Sequence, residues 1–280
     1  MFSLAGKCVV VTGGGRGIGR GITRAMAKAG ANVVITGRKP EPLAETAAEI
    51  RAMGLGGKII DLPGDICSFE HINAVADRAN KEFGYIDCWV NNAGSADPAD
   101  VGPLMDLRED QFDRVVDLNL KWTFFAAQAA ARSMTRGGSI INISSRSGSQ
   151  PGPMTGQYGA AKAGLENLTA TMAVEWGHKQ IRVNAVAPGV VLTTTNASTS
   201  MSNENRKRRQ IETVPLRRLG HVDDVAFACV YFAADESAWV SGQVLQVTGG
   251  SRIPVGLLTY LFKTNQRMEE QEALAKARGA

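Results

Sequence analysis

Runs of Val, Ile and other apolar residues recur at 7–13, 32–38, 57–65, 86–94, 138–145, 181–189 and 242–250, each short and bounded by Gly, Asn, Asp or Pro. They are apolar nearly throughout instead of alternating, as expected of strands covered on both faces. Between them lie longer segments with helical spacing at 19–30, 41–54, 69–84, 108–134, 156–177 and 222–235. Strand–helix alternation with right-handed crossovers predicts an α/β fold: a Rossmann-like, doubly wound, mainly seven-stranded parallel sheet with helices on both faces.

The chain has 280 residues, 44% hydrophobic and 21% charged, and contains no internal repeat and no linker that would divide it. A single domain over 1–251 is the simplest organisation. Residues 252–280 read as an extension, with the apolar "VGLLTYLF" followed by a charged, helix-prone tail. That apolar run suits a subunit interface, a cover over a pocket or contact with a membrane surface. The net charge of +4 is small, and the basic "NENRKRRQ" at 203–210 reads as a solvated helix face or lid, so nucleic-acid binding is not expected. Cys8, Cys67, Cys88 and Cys229 are scattered, which argues against a metal site or a disulfide framework. No transmembrane segment is expected, and the start of the chain lacks the pattern of a secretory leader; a cytoplasmic protein follows.

The first strand runs into "TGGGRGIG" and then a helix. Glycines there permit a tight turn and a close approach of phosphate, while the helix N-terminus offers free N–H groups to a pyrophosphate. Gly13, Gly15, Arg16, Gly17, Ile18 and Gly19 are the predicted phosphate loop. An acidic residue at the end of the second strand commonly holds the ribose hydroxyls of NAD. Here Gly37 takes that place and Arg38 follows. Arg16 and Arg38 could pair with the 2′-phosphate of NADP(H) through charge-assisted contacts, which makes NADP(H) the expected cofactor.

In "YGAAK", Tyr158 and Lys162 stand four residues apart on one helix face. A phenol with its usual pKa near 10 is a poor proton donor and acceptor at neutral pH, and an ammonium beside it favours the phenolate. Thirteen residues earlier, Ser145 leaves the carboxyl end of a strand, the edge at which open α/β sheets bind ligands. Ser144 is the alternative.

Together with "GDI" (64–66), "NNAG" (91–94), "LNL" (118–120) and "APG" (187–189), these segments resemble, in order, those of the short-chain dehydrogenase/reductase family, over about residues 4–251. The branch resembled includes 3-oxoacyl reductases and hydroxysteroid dehydrogenases. The resemblance implies that Tyr158 is the general acid–base, that Lys162 lowers its pKa and holds the nicotinamide ribose, and that Ser145 binds the substrate oxygen. Asn119 would support a water-linked proton relay. Asp65 and Ile66 would contact adenine; Asn92, Ala93 and Gly94 would line the adenosine ribose; Pro188, Gly189, Val191 and Thr193 would flank the nicotinamide. It also implies a mobile lid over 192–215 and a dimer or tetramer built on the helices that carry Trp122, Phe124, Phe125, Leu165, Leu168 and Met172, side chains that core packing explains equally.

The expected activity is hydride exchange with a small carbonyl or secondary alcohol. An NAD-dependent dehydrogenase, an epimerase or dehydratase, and a cofactor-sensing regulator are the rival readings. Pro151, Pro153 and Met154 are expected beside the substrate.

Overall fold

A computed structural model describes residues 2–197 and 202–251 of the chain. The proposed extension over 252–280 lies outside the described residues, as do 198–201 within the expected lid.

Seven strands form one sheet: β1 (Cys8–Thr12), β2 (Asn32–Gly37), β3 (Ile59–Pro63), β4 (Cys88–Asn91), β5 (Gly138–Ile143), β6 (Ile181–Pro188) and, last in the chain, β9 (Val244–Val247). Their order is β3-β2-β1-β4-β5-β6-β9, and every adjacent pair is parallel. The order reverses between β1 and β4, the switch point at which such sheets leave a crevice beyond the strand ends. A short parallel pair, β7 (Val191–Leu192) with β8 (Gly220–His221), was not foreseen and fixes the chain just after β6.

The helices are α1 (Gly17–Lys28), α2 (Pro40–Ala52), α3 (Phe69–Phe83), α4 (Glu109–Val116), α5 (Trp122–Ser133), α6 (Gly156–Trp176), α7 (Thr194–Ala197), α8 (Glu204–Glu212) and α9 (Val222–Ala233). Local chemistry sets their limits. Pro40 starts α2; the Ser68 side chain accepts from the His71 amide at the start of α3, and left-handed Gly84 ends it. Two apolar layers cover the sheet. One joins Val9, Val11, Ile35 and Ile141 to α1, α2 and α9; the other joins Val10, Trp89, Ile140 and Val183 to α3, α5 and α6. Successive β1 residues therefore alternate between two cores, which explains their unbroken apolar run.

Two expected elements differ. The helix over 108–134 is interrupted by a π-helical turn at Asp117–Lys121, across which the Trp122 amide donates to the Asp117 carbonyl. The Asn119 side chain occupies the Val115 carbonyl, the acceptor a regular helix would offer to the Asn119 amide. The last strand is shorter than 242–250 because Gly249 and Gly250 turn away with φ 63° and 87°.

Leu165 and Met172 are core residues, buried in the domain itself. Trp122 and Phe125 instead stack edge-on with Phe69, and Phe124 packs against Phe125; Phe69 is 53% exposed. No helix among the described residues is long and apolar enough to cross a membrane.

Candidate active site

The expected site residues converge on the carboxyl edge of the sheet. At the end of β1, Gly13 has φ 68°, and a methyl on Gly19 would overlap the Gly13 carbonyl. Only glycine allows the strand to turn this tightly and the first turn of α1 to sit against it. The amides of Gly13 and Gly14 donate to the Thr36 carbonyl at 2.7 and 3.3 Å, tying the loop to the end of β2. Arg16 precedes α1 in extended conformation and Arg38 follows Gly37; both are exposed, and neither makes an ion pair or a side-chain hydrogen bond among the described residues.

Thr12, which sequence reasoning passed over, organises the junction with β4. Its hydroxyl accepts from the amides of Asn92 and Ala93, each at 3.0 Å, and lies 3.3 Å from the Val90 carbonyl, to which it donates. Asn92 returns the contact, donating through Nδ2 to the carbonyls of Thr12 (2.9 Å) and Gly13 (3.3 Å). At the far end, Gly64 N donates to Gly37 O at 3.0 Å, the Asp65 carboxylate accepts from the Cys67 amide at 3.0 Å, and Ile66 is buried.

Beyond β6, the Gly189 amide donates to Val247 O at 2.9 Å, and the Thr193 methyl would lie 3.7 Å from a Cβ on Gly17. Thr193 thus approaches the loop over 13–19 from the other side, at the end of the segment that holds Pro188, Gly189 and Val191. Thr193 is held by reciprocal hydrogen bonds with Asn196, at 2.8 and 3.1 Å.

The side chains expected to react stand at the ends of β5 and α6. Ser145 follows β5, and its side chain lies beside the Tyr158 phenol, where it favours the phenolate. Lys162 is 4% exposed, donates to the Ile143 carbonyl at 2.9 Å, and places its ammonium 5.6 Å from the centre of the Tyr158 ring. Asn119, fully buried, donates to Ser95 O (2.7 Å) and Val115 O (2.9 Å), whereas its Oδ1 has no donor. A methyl on Gly94 would sit 2.7 Å from that oxygen and 3.3 Å from Lys162 Nζ, so both groups face one small space. Ser144, the alternative to Ser145, is buried, and its hydroxyl donates to the Glu166 carboxylate at 2.7 Å. Of the adjacent serines, only Ser145 meets Tyr158.

The electrostatics differ from the expectation that Lys162 lowers the Tyr158 pKa. Burial dominates at both groups: it raises Tyr158 above its ordinary value, opposed by the Ser145 hydroxyl, and brings Lys162 down to about 8. The physical reason is burial: each charged form loses hydration, and the ammonium of Lys162 has one carbonyl, that of Ile143, in its place.

Beneath the site runs a buried polar chain. Trp89 Nε1 donates to Asn91, Asn91 to Asn142, Asn142 to Thr169, and Thr169 to the Leu165 carbonyl, at 2.8, 3.0, 2.9 and 2.7 Å. It registers α6 against β4 and β5. The signal in the sequence was one asparagine in each of two apolar strands.

The segment after Ser145 lines an open cavity of about 520 Å³ formed by Ser147–Pro153, Leu104 and the small residues of α6, including Gly156 and Ala160. Pro151 and Pro153 are on its wall; Met154 is not among its lining residues and is 51% exposed.

Residues 13–252 match the family model described as Enoyl-(Acyl carrier protein) reductase. The chain is 37% identical over 252 residues to 2-dehydro-3-deoxy-D-gluconate 5-dehydrogenase of Escherichia coli, covering 89% of this chain and 96% of that one. The chain belongs to the short-chain dehydrogenase/reductase family. Among solved structures, a short-chain type dehydrogenase/reductase from Mycobacterium ulcerans is similar with a TM-score of 0.84, 34% identity, and coverage of 89% of this chain and 90% of that one. A 7α-hydroxysteroid dehydrogenase complexed with NADH and 7-oxo glycochenodeoxycholic acid is similar with a TM-score of 0.82, 35% identity, and coverage of 89% and 95%. Membership makes this chain an oxidoreductase that uses a nicotinamide cofactor, and the glycine cradle at the switch point fits such a dinucleotide.

Proposed function

We propose that this chain exchanges hydride between NADP(H) and a small carbonyl or secondary alcohol, with Tyr158 as general acid–base. One observation carries the reading: the buried Lys162 holds its ammonium 5.6 Å from the centre of the Tyr158 ring, and the Ser145 side chain lies beside the same phenol. When bound, the nicotinamide supplies the hydride for reduction and accepts it in oxidation. Gly13, Gly15, Gly17, Ile18 and Gly19 would hold the pyrophosphate, Asp65 and Ile66 the adenine, Asn92 to Gly94 the adjoining ribose, and Pro188, Gly189, Val191 and Thr193 the nicotinamide.

In reduction, Ser145 and Tyr158 donate hydrogen bonds to the carbonyl oxygen as its negative charge grows. The oxygen then takes the Tyr158 proton, while the carbon takes the hydride. The raised pKa of Tyr158 keeps that proton in place at neutral pH. Lys162 replaces it, with a water held by Asn119 Oδ1 completing the path outward; the unpartnered Oδ1 facing the same space as Nζ supports this relay.

The preference for NADP(H) rests on Arg16 and Arg38, exposed and unpaired among the described residues, and on the absence of a carboxylate at Gly37. The relative solved with NADH gives the second reading, an NAD-dependent dehydrogenase. We assign the protein to the cytoplasm, with reduced thiols: Cys8, Cys88 and Cys229 are buried, and burial pushes the Cys67 thiol up to about 12. A homo-oligomer is supported by the partly exposed aromatic cluster at Phe69. Assaying a panel of ketones and alcohols with each nucleotide tests the reading: turnover with NADPH above that with NADH supports it, and no turnover with either overturns it.

A further inference from the structure

Five of the seven residues from 13 to 19 are glycine, the residue that loses most conformational freedom when its backbone is ordered. A loop that the nucleotide itself had to order would bind it more weakly. This loop is already held. Three successive carbonyls each meet a side chain from a different part of the fold: Gly13 O accepts from Asn92 Nδ2 at 3.3 Å, Gly14 O from the Thr23 hydroxyl of α1 at 3.2 Å, and Gly15 O from the Thr46 hydroxyl of α2 at 3.1 Å. Thr23 and Thr46 are both fully buried. The Thr46 hydroxyl also lies 2.9 Å from the Pro42 carbonyl, the acceptor that a regular helix pairs with the Thr46 amide. Its hydroxyl therefore matters to Gly15 more than to α2.

The loop is seated closely against these helices. A methyl on Gly14 would lie 2.6 Å from Ile35 Cγ2 and 2.9 Å from Thr23 Oγ1, and one on Gly15 would lie 3.0 Å from the Leu43 nitrogen. In a planar trans peptide, the carbonyl of one residue and the amide of the next point in opposite directions. Holding the Gly14 and Gly15 carbonyls onto the two threonines therefore turns the amides of Gly15 and Arg16 away from them. Neither amide has an acceptor among the described residues, although Gly15 is buried. Buried N–H groups without a partner are rare. Two of them in succession, just ahead of the free amides at the start of α1, suit the oxygens of a phosphate.

We propose that Thr23 and Thr46 are positioning residues, whose hydroxyls preorganise the loop so that the Gly15 and Arg16 amides face the dinucleotide before it binds. The proposal rests on the reading of residues 13–19 as the phosphate loop and adds what holds that loop in its binding shape. Both threonines act through the backbone, since neither reaches the surface.

The test measures the dissociation constants of NADPH and NADH by fluorescence titration of the full chain, with thermal unfolding of the nucleotide-free protein on the same samples. Thr23→Val and Thr46→Val keep the side-chain shape and lose the hydroxyl. Each should weaken binding by about 3- to 10-fold, and the double variant by about 10- to 100-fold, the equivalent of one and two net hydrogen bonds. Both nucleotides should be affected, because they share the adenosine diphosphate that the loop meets; loss of the Arg16 or Arg38 side chain should instead spare NADH. Thr23→Ser and Thr46→Ser, which keep the hydroxyl, should bind close to wild type even where the lost methyl lowers the melting temperature. Thr46→Ala, which adds no bulk beside the loop, is the second variant and should weaken binding as Thr46→Val does. Valine and alanine variants that melt earlier but bind as tightly as wild type would make the threonines structural only and overturn the inference. Serine variants that bind as poorly as the valine variants would overturn it too. Binding is read without turnover, so a wild type that binds nucleotide but reduces no ketone overturns the oxidoreductase reading alone, and one that binds neither nucleotide overturns both.

Discussion

Replacing Lys162 by Met should change how stability depends on pH, in a direction and by an amount set by burial. Lys162 titrates near 8 in the folded protein and at its ordinary 10.5 once unfolded. At 1.36 kcal/mol per pH unit, the gap corresponds to about 3 kcal/mol of destabilisation wherever both states carry the charge, that is, below pH 8. Between 8 and 10.5 the unfolded chain binds a proton that the native state lacks, so unfolding free energy rises with pH. The penalty fades through this window and is absent above 10.5. Over pH 7 to 9.5 the wild type should gain about 2 kcal/mol relative to Lys162→Met, in which no such group titrates. The Tyr158 phenol, raised by burial, titrates above this range in both proteins. Urea unfolding at fixed protein concentration and ionic strength, in half-unit pH steps, measures the difference. Parallel profiles for the two proteins would refute the reasoning, because Lys162 would then titrate as an exposed lysine does; a relative loss in the wild type would reverse its sign.

Other outcomes follow from the nucleotide cradle. Replacing Arg16 or Arg38 by Ala should weaken NADPH binding by about 10- to 100-fold each, the loss of one charge-assisted contact, and leave NADH binding nearly as it was; fluorescence titration with both nucleotides decides. Thr12→Val keeps the side-chain shape but strips the Ala93 amide of its acceptor, while the Asn92 amide keeps the Val90 carbonyl at 3.1 Å. A loss of about 1–3 kcal/mol in urea unfolding is expected from the one unsatisfied donor, with weaker nucleotide binding.

The apolar runs identified β1 to β6 and β9 because parallel strands buried on both faces need apolar residues at every position, and the glycine pattern located the first turn for a steric reason that Gly19 makes plain. Tyr158, Lys162 and Ser145 were legible because four-residue helical spacing and the end of a strand determine where side chains go. The π-helical turn at Asn119 was not: nothing in a helical period shows that one side chain will take its own helix's carbonyl. Likewise, the sequence has the Lys162 ammonium favouring the Tyr158 phenolate, whereas burial is the largest influence on both groups. Thr12 and Glu166 were passed over because their roles depend on partners that only the assembled fold defines.

The central claim is that hydride and proton reach the substrate separately, the proton from Tyr158. Its most direct test is reduction of a ketone with NADPH deuterated at the transferable position, comparing wild type with Tyr158→Phe. One deuterium per turnover should appear on the carbinol carbon in the wild type. The variant should bind NADPH normally and turn over at least about 1,000-fold more slowly, the loss of a general acid. A variant of near-normal rate, or a wild-type product without deuterium on that carbon, would contradict it.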